Sequence, residues 1–191
     1  ANSYNRIVIK IGSAVLANSN GIVRHNILSS ISEDIAWLLK NDKEVLIVSS
    51  GAIALGRKKI KLSENLTLAE SQAMAAHGQI ELMSAWKKHL NKFSIPIGQI
   101  LLTPRDTELK LSSKNARQTV NKLLEAGCLP IINENDSTAT DEIKFGDNDL
   151  LAAKVAKLIG ADLMIILSTV DGLYSSKKDQ ELRKLSSLIK A

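Results

Sequence analysis

The chain has 191 residues, 45% of them apolar and 24% charged, which suffices for one globular domain with a sizeable core. Its single cysteine, Cys128, excludes an intrachain disulfide and accords with a reducing compartment. The net charge of +5 raises nucleic-acid binding as a function, but aromatics make up only 3% of residues and offer no stacking surface for bases. Solvated helix faces account for the lysines, so no nucleic-acid partner is expected. No apolar run is long enough to cross a bilayer, and the polar start before Arg6 leaves no room for a signal peptide. These features predict a cytoplasmic protein with no membrane partner.

Residues 6–11 (RIVIKI) are β-branched and apolar and read as a buried strand ended by Gly12 and Ser13. A helical period follows over 25–39, then a second buried strand over 44–49 (EVLIVS). Ser50 and Gly51 open a helix over 52–60. A long helical stretch over 68–93 is predicted to break or bend near Gly78. Residues 95–102 read as a third strand and 112–126 as a helix, with a serine at its N-cap and Gly127 as its stop. A fourth strand covers 129–133, a polar excursion with room for a small hairpin covers 134–146, and a helix over 147–159 is closed by Gly160. The fifth strand is 163–168, followed by a lysine-rich tail. Apolar strands alternating with helices predict an α/β fold, a three-layer αβα sandwich around a mainly parallel sheet.

Parallel sheets of this kind bind ligands at the carboxyl ends of their strands. Lys10 ends the first strand, and two readings stand: an ammonium that meets an anion beside the amides of Gly12 and Ser13, or a side chain that snorkels past the sheet edge. At Ser49-Ser50-Gly51-Ala52 the choice is between an anion site at a helix start and an N-cap without ligand. Gly51 and Gly56 have Walker A spacing, but Arg57-Lys58 replaces its ending and the interior is too apolar, so that motif is rejected. The densest polar clusters are Asn133 to Thr138 and Lys144 to Asp149. Turns and caps explain one or two of these residues, not all. An amino-acid ligand would find an acceptor for its ammonium in Asp136 and a donor for its carboxylate in Asn148. The histidines 25, 77 and 89 are scattered, His77 reads as a packing residue, no metal-ligand spacing occurs, and no metal site is expected. Cys128 reads as a small apolar side chain.

Taken together, Val8-Ile9-Lys10-Ile11-Gly12-Ser13, Val48-Ser49-Ser50-Gly51-Ala52-Ile53, Ile132-Asn133-Glu134-Asn135-Asp136 and Phe145-Gly146-Asp147-Asn148-Asp149 resemble the glutamate 5-kinases of the amino-acid kinase family. Gly98 to Thr103 and Asn115-Ala116-Arg117 add to the likeness, which runs over essentially the whole chain. The first two motifs are shared across the family; the last two are more specific to the glutamate enzymes. The resemblance implies that residues 1–191 are one amino-acid kinase domain, using ATP with its Mg²⁺ to phosphorylate the γ-carboxylate of glutamate. The product would be glutamyl 5-phosphate, the first step toward proline, with proline as feedback inhibitor and a homo-oligomer as the assembly. It also implies that Lys10 bridges the ATP phosphates, Gly12 and Ser13 line their path, Ser168 and Thr169 contact the nucleotide, and Ser50, Asp136 and Asn148 bind glutamate.

Two departures bear on this. Ser168-Thr169 stands where the family carries Thr-Asp. Residues 1–191 also stop short of a glycine-rich segment with a second phosphate lysine and of the carboxy-terminal RNA-modification-type domain that often follows. The alternative expectation is therefore a catalytically impaired amino-acid-binding or oligomerising remnant of such a kinase.

Overall fold

The computed structural model describes residues 4–57, 67–138 and 148–169. Its strands are β1 (Arg6–Ile11), β2 (Glu44–Ser49), β3 (Ile97–Leu102), β4 (Leu129–Glu134) and β5 (Leu163–Leu167). The helices are α1 (Ser13–Leu16), α2 (His25–Lys40), α3 (Ala52–Gly56), α4 (Leu68–Leu90), α5 (Pro104–Glu108), α6 (Lys110–Glu125) and α7 (Asn148–Ile159). The strands form one parallel sheet in the order β3-β4-β2-β1-β5.

Side chains alternate across a strand, and here both faces are apolar, so each strand must be covered on both sides. Ile7, Ile9, Val45, Ile47 and Ile131 pack with Leu28, Ile31 and Ile35 of α2 and Leu82, Trp86 and Leu90 of α4. Val8, Leu46, Val48 and Ile132 pack with Val120 of α6 and Leu151, Val155 and Ile159 of α7. The result is the expected αβα sandwich. In register, Ile11 lies beside both Ser49 and Leu167, which levels the tips of β1, β2 and β5.

Several local expectations are corrected. Helix α4 runs unbroken through Gly78, because that glycine serves close packing: a Cβ there would lie 1.8 Å from the Ala52 carbonyl oxygen. The third strand starts at Ile97, two residues later than expected. Helix α6 begins at Lys110, before the serine expected to cap it, and its N-cap Leu109 makes no side-chain cap bond. Just upstream, α5 went unforeseen although Thr103 and Asp106 form a capping box with Pro104 at the helix start. Gly127 does close α6, at φ 69, with Gly127 N–H donating to Leu124 O and Cys128 N–H to Leu123 O. His25 and His89 are not scattered: His25 Nδ1 lies 3.0 Å from His89 Nε2, tying the start of α2 to the end of α4. The helix expected over 52–60 is shorter, ending at Gly56 with Arg57 as its C-cap. Of the polar excursion over 134–146, with room for a small hairpin, Asp136–Thr138 form a single 3-10 turn; its remainder from 139 on and the lysine-rich tail fall outside the described residues.

Candidate active site

Lys10 shares the Val8 side of β1, the side covered by α7, and its side chain is buried. An ammonium there needs a counter-charge. Asp149, in the first turn of α7, supplies one: Lys10 Nζ lies 2.5 Å from Asp149 Oδ1. Of the two readings open for Lys10, the structure shows the charged group held inside rather than snorkelling out. Gly12 follows, and its N–H is already committed to the Leu167 carbonyl at 3.0 Å. Its contribution is close approach, since a Cβ would sit 3.4 Å from that oxygen and 3.9 Å from Lys10 Nζ. Ser13 opens α1 and, with Ala14, occupies a first turn, where helix amides lack intrahelical acceptors.

Strand β2 ends at Ser49, whose hydroxyl accepts from Trp86 Nε1 at 3.2 Å. Ser50 N–H donates to Ile11 O, and Gly51 turns the chain into α3 with φ 106, a left-handed conformation that favours glycine. The third contributor is β4. Asn133 Oδ1 accepts from Glu134 N–H at 2.9 Å, while its Nδ2 donates to Gln79 Oε1 of α4 at 2.7 Å.

Asn148, the first residue of α7, joins these tips. Its Nδ2 lies 2.9 Å from Ser49 O, 3.0 Å from Ser50 Oγ and 2.9 Å from Asn133 Oδ1. Two amide hydrogens serving three acceptors leave no donor for a substrate carboxylate, the part expected of this residue. What Asn148 retains is Oδ1, to which no described residue donates.

Ser13, Ser50, Asp136 and Asn148 line one cleft of about 550 Å³, with Arg24, Arg57, Asn133 and Glu134. Burial pushes the Asp136 carboxyl up to about 6. Glu134 is raised as well, first by burial and then by the charge of Asp136. Lys10, Gly12, Ser168 and Thr169 do not line this cleft; they sit beside it at the β1 and β5 tips. The two groups meet at α7, where Asn148 reaches the cleft and the adjacent Asp149 holds Lys10. Sequence reasoning did not single out Asp149, Gln79, Arg24 or Arg57. Asp149 lay in a quoted motif, but nothing in the sequence pairs it with Lys10.

A parallel αβα sheet with a buried lysine at its first strand tip and a polar cleft alongside defines a class: residues 5–189 match the amino acid kinase family, and the chain belongs to it. Among curated relatives it is 55% identical to the glutamate 5-kinase of Agrobacterium fabrum over 175 residues, 91% of this chain and 45% of that protein. Identity to the glutamate 5-kinase of Bradyrhizobium diazoefficiens is 51%, over 91% of this chain and 47% of that protein. The chain therefore spans about half the length of these relatives.

Proposed function

We propose that this chain phosphorylates the γ-carboxylate of glutamate with ATP, giving glutamyl 5-phosphate. The observation that carries the reading is the junction at α7: a cleft with ionisable acceptors on one side of Asn148, a buried lysine on the other. In the cleft, Asp136 and Asn148 Oδ1 are acceptors suited to the substrate ammonium. Arg24 and Arg57 at the rim offer the donors a carboxylate needs, a part first given to Asn148. Ser50 lies between, its hydroxyl already oriented by Asn148.

The γ-carboxylate is ionised at neutral pH, so no general base is required to make the nucleophile. The barrier lies in bringing one anion to another, which positioning and fixed positive charge lower. Lys10 would supply that charge, with Gly12 allowing close approach and the first-turn amides of Ser13 and Ala14, at the edge of the neighbouring cleft, as further donors. Its pairing with Asp149 would hold the ammonium in place while no phosphate is bound. Ser168 and Thr169, at the end of β5, flank the tip and would meet the nucleotide. Mg²⁺ carried on ATP would neutralise phosphate charge, and Asp149, whose side chain remains 44% exposed, is the carboxylate placed to share it.

The same reading includes proline as feedback inhibitor, a homo-oligomer and a cytoplasmic location. Apolar surface on α4 and β3, with Ile80 67% and Leu101 39% exposed, supports the oligomer. Among the described residues no helix is long and apolar enough to cross a membrane.

The test is formation of acyl phosphate, trapped as the hydroxamate, in the presence of glutamate and Mg-ATP. Lys10→Ala is expected to lower the rate roughly 10²–10³-fold. Undiminished activity in that variant would refute the role of Lys10. Thermal stabilisation by glutamate but not Mg-ATP, with no hydroxamate, would instead favour a silent amino-acid-binding module.

A further inference from the structure

We infer that Gln79, on α4 and outside the cleft, is a positioning residue that sets glutamate affinity by fixing the carboxamides of Asn133 and Asn148; the inference rests on the function proposed above. Three carboxamides are linked in series; groups that cannot exchange roles dictate the direction of two of them, and the third follows from its neighbour. Glu134 N–H can only donate, so the atom of Asn133 it meets must be oxygen. The other end of that amide, Nδ2, then points at Gln79 Oε1. Ser49 O can only accept, so the atom of Asn148 facing it must be nitrogen, which the same Asn133 oxygen also receives. Among the described residues, Asn148 is thereby left with its oxygen unclaimed and open to a ligand.

Asn133 is 2% exposed, so its Nδ2 has little access to water should Gln79 be lost. An unpaired buried donor is costly, and turning the amide over would set donor against donor at both Glu134 N–H and Asn148. The cheaper response is a shift of Asn133 toward another acceptor, which drags its oxygen off Asn148. The neighbouring residue supports this assignment for α4: Gly78 packs on Ala52, two residues beyond Ser50, and Trp86 holds Ser49. One helix thus braces both strand tips that flank Asn148, and Gln79 is its polar contact with the β4 tip.

The test compares Gln79→Met, which keeps length but removes the acceptor, with Gln79→Glu, which keeps an acceptor for Asn133 Nδ2. Glutamate affinity is read at pH 8 by titration calorimetry, and KM values for glutamate and ATP where turnover is measurable. Gln79→Met should weaken glutamate about tenfold, with little change for Mg-ATP, and Gln79→Glu should recover most of the loss. Gln79→Met combined with Asn148→Ala should cost little more glutamate affinity than Asn148→Ala alone, because both act through one contact. A folded Gln79→Met chain with unaltered glutamate affinity, or fully additive effects, overturns the inference and leaves the proposed function standing. If the unaltered chain binds no glutamate, the functional reading fails and the inference falls with it.

Discussion

Asp136 is a carboxyl that the folded chain holds against its preference. Burial raises its pKa from 3.8 to about 6, so the folded state binds the proton more tightly than the unfolded chain does. At pH 7.5 both states are ionised and the folded one bears the desolvation cost; the cost fades as pH falls through 6 and is gone below about 3.8. Asp136→Asn should therefore raise Tm at pH 7.5, by about 2–4 °C for a chain of this size if the relief is near 1 kcal/mol. At pH 4 the two proteins should melt together. An ammonium in the cleft would favour the ionised form, so glutamate binding should weaken as pH drops below 6, with a proton released on binding. Calorimetry in two buffers of different ionisation enthalpy measures that proton.

At this scale the sequence was informative where a polar residue ended an apolar run. Lys10, Ser50, Asp136 and Asn148 stand out against the strands or helices they adjoin, and three of the four line one cleft while the fourth adjoins it. Gln79 offered no such contrast: a glutamine within a helix is ordinary until the fold sets Asn133 opposite. The donors of Asn148 were misjudged because which acceptors consume them depends on contacts 15 and 98–99 residues distant in the chain.

Among the elements, α4 departs furthest from what its composition implied. Glycine inside a helix costs about 1 kcal/mol relative to alanine, which is why a bend at Gly78 was expected. Here two backbones touch instead: a Cβ on Gly78 would meet Ala52 O at 1.8 Å, and one on Gly56 would meet Met74 O at 2.1 Å. These obstacles are backbone and cannot swing aside. Gly78→Ala should thus destabilise the chain by about 2 kcal/mol or more despite its better helix propensity, read as a lower urea midpoint at unchanged slope. Displacement of α3 would also disturb Ser50, so glutamate affinity should fall in the same variant. Strands β1, β2, β4 and β5 were legible to within a residue because unbroken apolar runs admit little else. Helix α5 was not, since its five residues carry no period and only the Thr103–Asp106 cap marks it.

For the molecule as a whole, layer architecture followed from strands apolar on both faces. The order β3-β4-β2-β1-β5 did not, because neighbours in the sheet are chosen by contacts distant in sequence. That order places β1, β2 and β4 inside the sheet, where their residues are almost all buried, and β3 and β5 at its edges among the described strands, where they are not. Hydrogen exchange should accordingly find the amides of β1, β2 and β4 opening only with global unfolding, and those of β3 and β5 exchanging sooner. Uniform protection across the five strands would contradict this.

The adjacency of Asn148 and Asp149 carries a mechanical corollary. One residue grips the tips of β2 and β4, the next grips β1, so a single peptide unit works as a gauge block between the acceptor's seat and the donor's. On the proposed function, any tilt of that first helical turn would alter the gap a transferred phosphoryl group has to cross, and would do so for both reactants together.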